Sequence, residues 1–484
     1  MKLSELLKDI DVLETNADTS IEITDISYDS RKTQKGGLFV AIKGFESDGH
    51  KFIAAAKAAG AALVLCEEKP EEELPFVRVA DTRVALALVS RNFFGNPAGE
   101  MTIVGVTGTN GKTTVTLLLK HVIEECKKAK VGLIGTNANM IGTEVLETER
   151  TTPESYELQK LFRKMSDSGC KYVIMEVSSH SLALSRVEGI RFDVAVFTNL
   201  TQDHLDFHKT MEEYAGAKAL LFERCEKAAI NIDDQWGGYI MERAKCPVFT
   251  FSETQLEANL VAKDIRLSAS NVKFCALTKE NLERVSLEIP GRFSVYNALS
   301  VISAAMLLDL GITEACEALK TAKGVKGRVE VVPTPSDFTL LIDYAHTPDA
   351  LENVLRSMKE VTSGRVIVVF GCGGDRDKTK RPLMGEIATS LADFSIITSD
   401  NPRTEQPSEI IGDILSGVKV AKNRYTVIEN RIEAICFAID KHLEGDVIIL
   451  AGKGHETYQI IGKTKHHMDE REIVAEHLAA IKKD

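Results

Sequence analysis

Long apolar runs, paired cysteines and blocks of positive charge are all missing from this chain, and each absence removes a class of function. No stretch reaches the roughly 20 apolar residues needed to span a bilayer. The N-terminal segment from Met1 to Glu14 spaces its charges too closely for a secretory signal, so a cytoplasmic protein is expected. The nine cysteines (Cys66, Cys126, Cys170, Cys225, Cys246, Cys275, Cys316, Cys372 and Cys436) stand singly, and none forms a CxxC pair. A disulfide framework or a zinc site is therefore disfavoured. Basic residues are outnumbered, 59 Lys and Arg against 71 Asp and Glu for a net charge of -12, and form no long block. That balance argues against nucleic acid or an anionic membrane as the main partner.

What is present is an ordinary globular mixture, 44% hydrophobic and 27% charged over 484 residues. At roughly 100–200 residues per domain this length suggests about three domains. Residues 1–98 combine strand-like runs (Gly37 to Lys43, Ala61 to Cys66) with an alanine-rich helix around Phe52 to Ala59, and Pro97 to Glu100 forms a loop before the next apolar run. Across 99–331, apolar runs alternate with helical patterns: Thr102 to Val106, Val131 to Gly135, Tyr172 to Val177, Val194 to Thr198 and Ala228 to Asn231. This spacing predicts βα repetition around a mainly parallel sheet. The irregular stretch Thr250 to Glu288 is expected to form an antiparallel appendage. The turn-forming segment Val332 to Asp337 opens a third α/β series over 332–484, with strands expected at Thr339 to Ile342, Val366 to Phe370, Ser395 to Thr398 and Val447 to Leu450. The expected fold class is α/β in three domains: a small N-terminal unit, a central P-loop ATPase and a C-terminal Rossmann-like unit.

The run from Thr102 to Val106 feeds Thr107-Gly-Thr-Asn-Gly-Lys-Thr-Thr114 and then a helical segment, the context a phosphate-binding loop requires. Gly108 and Gly111 let the backbone curl so that the amides of Gly108, Thr109, Asn110 and Gly111 face phosphate oxygens. Lys112 supplies charge, and Thr113 with Thr114 opens the helix, Thr113 offering a hydroxyl to Mg²⁺. The usual spacing would set a glycine at Val106, so the loop is a variant, and adenine is not distinguished from guanine by it. Glu176 and His204 both follow apolar runs, at strand ends that face the crevice of a parallel sheet, and their convergence beside the loop suggests Mg²⁺ ligation. His204 and His208 could instead be an i,i+4 surface pair, the reading preferred for His208. Their spacing also fits a zinc helix, although HExxH is absent. Lys218, in an apolar small-residue helix, reads by itself as a lysine snorkelling to solvent.

Together, Gly105-Val-Thr-Gly-Thr-Asn-Gly-Lys-Thr-Thr114, Glu176-Val-Ser-Ser-His180 and Asn199-Leu-Thr-Gln-Asp-His-Leu-Asp206 resemble the Mur ligases of peptidoglycan synthesis. The downstream motifs Gly291-Arg-Phe-Ser-Val-Tyr-Asn297, Gly327-Arg-Val-Glu330, Asp343-Tyr-Ala-His-Thr-Pro348, Gly371-Cys-Gly-Gly-Asp-Arg376, Asp400-Asn-Pro-Arg403 and Gly452-Lys-Gly-His-Glu456 extend the likeness over nearly the whole chain. The resemblance implies an ATP- and Mg²⁺-dependent amide ligase acting on UDP-N-acetylmuramoyl-L-alanyl-D-glutamate through an acyl phosphate. It implies that Lys218 is carbamylated by CO₂ and helps hold Mg²⁺, that Lys112 and Arg328 stabilise transferring charge, that Asn297 and Asp343 position the nucleotide, and that His346 lies near the reacting phosphate. Ser30, Thr151, Thr152, Ser178 and Arg186 match the UDP-sugar peptide contacts, whereas Phe45 to Ser47 stand where some relatives have more polar uridine-side residues. Arg376, Asp400, Asn401, Pro402, Arg403, Gly452 and Glu456 match the site of the incoming amino acid. An arginine at 403 can grip the distal carboxylate of meso-diaminopimelate, which lysine lacks, and Glu456 can pair with the distal ammonium. Isolated, Arg403 would pass for a loop ion pair. A monomer is expected. A P-loop GTPase or small-molecule kinase would be served equally well by the loop alone but would not need the third domain with its arginines. A non-catalytic homologue that binds nucleotide or a partner protein is a third reading, against which the intact set Lys112, Thr113, Glu176, His204 and Lys218 argues.

Overall fold

The computed structural model describes residues 1–44, 47–148, 150–334 and 337–481. Phe45 and Glu46, named above on the uridine side, and Pro335 and Ser336 of the third domain's opening segment lie outside the described residues.

Alternation along short strands sorts the N-terminal residues into two layers. Leu38, Val40, Leu63 and Leu65 face the helix Thr82–Phe93, while Phe39, Val64 and Cys66 face Ile53 and Ala56 of the helix Ile53–Ala58. Five strands result, four of them joined in parallel, with Glu14–Thr15 antiparallel at one edge. Asp81 caps the longer helix, accepting from the amides of Arg83 at 2.8 Å and Val84 at 3.1 Å.

An 11-stranded sheet forms the centre. The strand Thr102–Thr107 lies inside it, between Tyr172–Glu176 and Phe192–Phe197 and parallel to both. Val104 and Val106 point into one apolar layer and Ile103 into the other. The side chain at 106 therefore belongs to the core, where the usual loop spacing would have a glycine. Leu260–Leu267, Val272–Leu277 and Leu282–Leu287 are antiparallel to one another, as expected for Thr250 to Glu288. They are not a separate appendage, however, because Leu260–Leu267 pairs in parallel with Val248–Ser252 and so continues the central sheet.

The last sheet has six strands, in the order Glu330–Val332, Thr339–Asp343, Val447–Ala451, Val366–Phe370, Phe394–Ile397 and Tyr425–Val427. Only the first pair is antiparallel, and its outer strand comes from residues that begin at Glu330. The inner strands are nearly continuous apolar runs because helices cover both faces: Pro348–Val361, Lys380–Leu391 and Pro407–Leu415 on one, Arg431–Asp440 and Glu470–Ile481 on the other. Asp343, Phe370, Ile397 and Ala451 end their parallel strands at one edge, the edge where open α/β sheets bind ligands. Among the described residues, no helix is long and apolar enough to cross a membrane.

Candidate active site

The loop after Thr107 is held from one side by the segment that follows Phe192–Phe197. Asn199 accepts from the Thr109 amide through its carbonyl and from the Asn110 amide through Oδ1, both at 2.9 Å. Thr198 Oγ1 donates to the Asn110 carbonyl at 2.7 Å. Two glycines are required by this packing. At Gly108 (φ 153°) a Cβ would overlap Thr198 Oγ1, and at Gly111 (φ 87°) it would sit 2.5 Å from Asn297 Oδ1. The helix Lys112–Lys127 starts at the loop's end, so its free N-terminal amides add to the loop's anion-binding capacity. Lys112 Nζ folds back onto the carbonyls of Gly108 and Thr109, each at 2.9 Å.

Glu176, Thr113, His204, Thr151, Ser178 and Arg328 line one small cleft with this loop. Glu176 is buried, its oxygens accepting from the Thr136 amide at 2.8 Å and the Thr136 hydroxyl at 3.0 Å. His204 has left-handed backbone (φ 53°) at the head of the short helix Leu205–His208. Its ring lies 4.8 Å from that of His180, and burial lowers its pKa although Asp203 opposes the shift. Burial thus favours the neutral imidazole, whose Nε2 lies 3.4 Å from Asp203 Oδ2.

Lys218 does not snorkel. It is 1% exposed, its Nζ donates to the Gly108 carbonyl at 2.8 Å, and it sits 4.6 Å from the centroid of the Tyr214 ring. Burial, then Lys112, holds its pKa well below the ordinary lysine value. His208 is not at the surface either: it is buried, bonds Ser179 Oγ at 2.8 Å and stacks on Tyr214, and burial takes its pKa down to about 4. Among the described residues, no group of three or more His, Cys, Asp or Glu side chains is gathered to hold a metal. Glu176, His204 and Thr113 line the cleft beside the phosphate loop, a donor set that fits a Mg²⁺ ion keeping part of its water shell and taking phosphate oxygens as further ligands.

Thr152 Oγ1 donates to the Glu176 carbonyl at 2.8 Å and accepts from the Ser178 amide at 3.1 Å. Arg186 Nη1 reaches the Thr152 carbonyl at 3.2 Å, and its Nε pairs with the buried Glu154 at 3.2 Å. Thr151, Thr152, Ser178 and Arg186 are thus brought together. Ser30 begins the 3₁₀ turn Ser30–Lys32 and does not line this cleft.

A second cleft of about 450 Å³ opens between the central and C-terminal sheets, lined by Asn297, Asp343, Arg292, Phe293, Tyr296 and Arg328 among others. Arg328 borders both clefts, with its Cζ 4.9 Å from the Tyr344 ring centroid. Asp343 is fixed by the amides of Val329 and Ala345, both at 2.8 Å. Across the seam, Asp349 Oδ2 accepts from Asn110 Nδ2 at 3.1 Å and Thr201 Oγ1 at 3.0 Å, tying the C-terminal sheet's first helix to the phosphate loop. His346 is exposed, bonded to its neighbour Tyr344's carbonyl, and lines neither cleft.

Beyond the strand ends of the last sheet, two arginine-bearing loops are bolted together. Arg403 Nη1 donates to the Gly374 carbonyl at 2.7 Å, Thr404 bonds Asp375 through its hydroxyl at 2.7 Å, and Glu405 accepts from the Asp375 amide at 2.6 Å. Arg376 stays exposed beside them, its Nη1 donating to the Asp375 carbonyl at 3.1 Å. Fully buried Arg381 underlies both loops, bonding Glu405 at 2.8 and 3.0 Å and Asp413 at 2.8 Å. Asn401 and Glu456 meet at 2.9 Å, and a Cβ on Gly452 would stand 2.9 Å from Asp400 Oδ2. The sequence signals missed Arg381, Glu405 and Thr198, the last standing just before the motif that begins at Asn199, and they gave Asn199 itself no part in holding the loop.

Three domain models of one family match this chain in succession: "Mur ligase family, catalytic domain" over residues 22–94, "Mur ligase middle domain" over 106–305 and "Mur ligase, glutamate ligase domain" over 327–454. A relative from Caldanaerobacter subterraneus subsp. tengcongensis, named UDP-N-acetylmuramoyl-L-alanyl-D-glutamate–2,6-diaminopimelate ligase, is 50% identical over 100% of both chains. One from Clostridium acetobutylicum, named ligase 1 of the same activity, is 47% identical over 98% of this chain and 99% of its own. A solved structure bearing that activity's name has a TM-score of 0.76 at 32% identity, covering 100% of this chain and 99% of the other. With domain matches running from residue 22 to residue 454 and relatives alike from end to end, the chain belongs to the Mur ligase family.

Proposed function

We propose that this chain adds meso-diaminopimelate to UDP-N-acetylmuramoyl-L-alanyl-D-glutamate, consuming ATP. The observation that carries this reading is the 50% identity, over the full length of both chains, with a relative named for that reaction. Residues 1–98 would hold the UDP-sugar, 99–331 the ATP and 332–484 the amino acid, with the protein acting as a cytoplasmic monomer that engages neither nucleic acid nor membrane.

In this scheme the γ-phosphoryl group of ATP passes to the D-glutamyl γ-carboxylate, giving ADP and an acyl phosphate. The amine of diaminopimelate attacks the carbonyl carbon, and the tetrahedral intermediate expels phosphate as the amide forms and the amine loses its proton. A carboxylate is a poor electrophile until phosphate replaces its oxygen as leaving group, and the charge that develops needs fixed cations around it. Lys112 and Arg328 supply them, within the cleft they share. Asn297 and Asp343 orient the nucleotide in the larger cleft. His346, exposed beyond both clefts, would have to approach on closure. Burial favours the neutral form of the Lys218 amine; that amine can add CO₂ and release a proton, and the carbamate so formed would, with Thr113, Glu176 and His204, hold Mg²⁺. Mg²⁺, when bound, supplies charge neutralisation at the transferring phosphoryl group. Thr151, Thr152, Ser178, Arg186 and Ser30 bind the UDP-sugar peptide. Arg376, Asp400 to Arg403, Gly452 and Glu456 read the amino acid, Arg403 its distal carboxylate.

The test is ADP release with ATP, Mg²⁺ and UDP-N-acetylmuramoyl-L-alanyl-D-glutamate, with meso-diaminopimelate or L-lysine added in parallel. Release that requires diaminopimelate supports the reading. Release with lysine alone overturns the choice of amino acid, and release indifferent to any amine overturns the ligase.

A further inference from the structure

Lys453 follows Gly452 beyond the strand Val447–Ala451 and has no part in the scheme above. Its side chain is completely buried, yet it carries an ammonium. Three groups surround that ammonium: Asp400 Oδ1 at 3.3 Å, Asn401 Oδ1 at 3.1 Å and Glu456 Oε2 at 3.2 Å. All three belong to residues proposed to read the incoming amino acid. Burying a lone ammonium is costly, and pairing with two carboxylates offsets that cost.

The geometry around Glu456 is asymmetric. Lys453 Nζ and Asn401 Nδ2, the latter at 2.9 Å, both donate to Oε2. Asn401 is itself fixed, its Oδ1 accepting from the Ile460 amide at 2.9 Å. Two anchored donors on one oxygen set the carboxylate plane and leave Oε1 as the acceptor for a ligand, on a side chain that keeps 16% of its exposure. Two carboxylates and one ammonium also leave one net negative charge, the complement of one further ammonium. Without Lys453 the carboxylates of Asp400 and Glu456 would lose the ammonium that both of them contact.

We propose that Lys453 is a positioning residue which, through Oε2 of Glu456, makes the pocket select a diamino acid over the otherwise identical monoamino acid. The inference rests on the diaminopimelate reading given under Proposed function. The Arg403 guanidinium has its own anchor, Nη1 donating to the Gly374 carbonyl at 2.7 Å. Lys453 reaches Arg403 only indirectly, through Asn401 Oδ1 and the Ile460 segment, so recognition of the distal carboxylate is expected to change less than recognition of the ammonium.

The experiment compares kcat/KM for meso-diaminopimelate, 2-aminopimelate and L-lysine in the wild type, K453M and K453R. A site built around a polar group rejects an analogue lacking it by about 10³-fold or more. K453M is expected to reduce the preference for diaminopimelate over 2-aminopimelate to about tenfold, to leave its preference over lysine within about threefold of wild type, and to keep the KM for ATP. K453R, which retains the charge, is expected to restore most of the lost discrimination. Should K453M fail to fold by circular dichroism, K453Q is measured in its place. A folded K453M or K453Q with wild-type discrimination against 2-aminopimelate, or one that loses both preferences equally, overturns the proposal. A wild type inert towards diaminopimelate overturns the underlying reading instead.

Discussion

Replacing Arg403 by alanine should separate amino-acid recognition from every other step. The Arg403 backbone is left-handed (φ 51°) and tied on both sides to the segment around Ile460, so the guanidinium starts from a fixed base. Nη1 is engaged by the Gly374 carbonyl at 2.7 Å, which orients the group and leaves the Nε–Nη2 edge for a bidentate bond to a carboxylate. Charge-assisted hydrogen bonds contribute about 1.5–3 kcal/mol each. Losing two of them, partly screened by solvent at an open cleft, costs about 3 kcal/mol, or roughly a hundredfold in kcat/KM for diaminopimelate. Lysine has no distal carboxylate, so its slow turnover should change less than about threefold. The assay is steady-state ADP release at saturating ATP and UDP-sugar, with the amino acid varied. R403K, which keeps the charge but not the fork, should fall between the two. If diaminopimelate and lysine turnover drop in parallel, or the KM for ATP rises with them, Arg403 holds the loop rather than reads the substrate.

Lys218→Met places an apolar side chain of similar length in a buried site, so the melting temperature should hold or rise while ADP release falls by about 10³-fold or more. A melt with parallel activity measurement separates this from unfolding. Gly111→Ala puts a methyl against Asn297 Oδ1 at a positive φ, and nucleotide affinity measured by calorimetry should fall by at least about tenfold. Arg381→Met removes the buried guanidinium that pairs with Glu405 and Asp413, leaving Glu405 to Lys378 and the Asp375 amide, and the loss is expected as a lower urea midpoint. The Glu405 carboxyl is held at about 2 by Arg381, the Asp375 amide and Lys378. A depressed folded pKa gives stability that is present above the ordinary carboxylate value and is lost as pH falls towards about 2. The variant should show a flatter stability profile across that acid range.

Local signals carried much of this fold into view. The phosphate loop announces itself because a buried strand, two glycines and a lysine are contiguous, and the parallel strands of the last sheet read as apolar runs because helices cover both their faces. Groups defined by distant partners were hidden. Lys218 is flanked by small residues, Ala215, Gly216, Ala217 and Ala219, and nothing in them reveals that the Gly108 carbonyl, 110 positions away, lies over its amine. His208 resembled a surface partner of His204 until Ser179 and Tyr214 closed around it. Lys453, flanked by glycines, looks like a solvent-facing loop lysine, and its partners Asp400 and Asn401 come from the loop that follows another strand, Phe394–Ile397. The segment Thr250 to Glu288 showed its antiparallel character locally but not its attachment, since the pairing of Leu260–Leu267 with Val248–Ser252 is set by the whole sheet.

The central claim, that the amide forms through an acyl phosphate, is tested most directly by labelling the D-glutamyl γ-carboxylate of the UDP-sugar with ¹⁸O and analysing the released phosphate by mass spectrometry. Transfer of the γ-phosphoryl group to that carboxylate, followed by attack at carbon, predicts one ¹⁸O in each phosphate released with diaminopimelate. Phosphate without label, formed alongside the amide, would contradict the account.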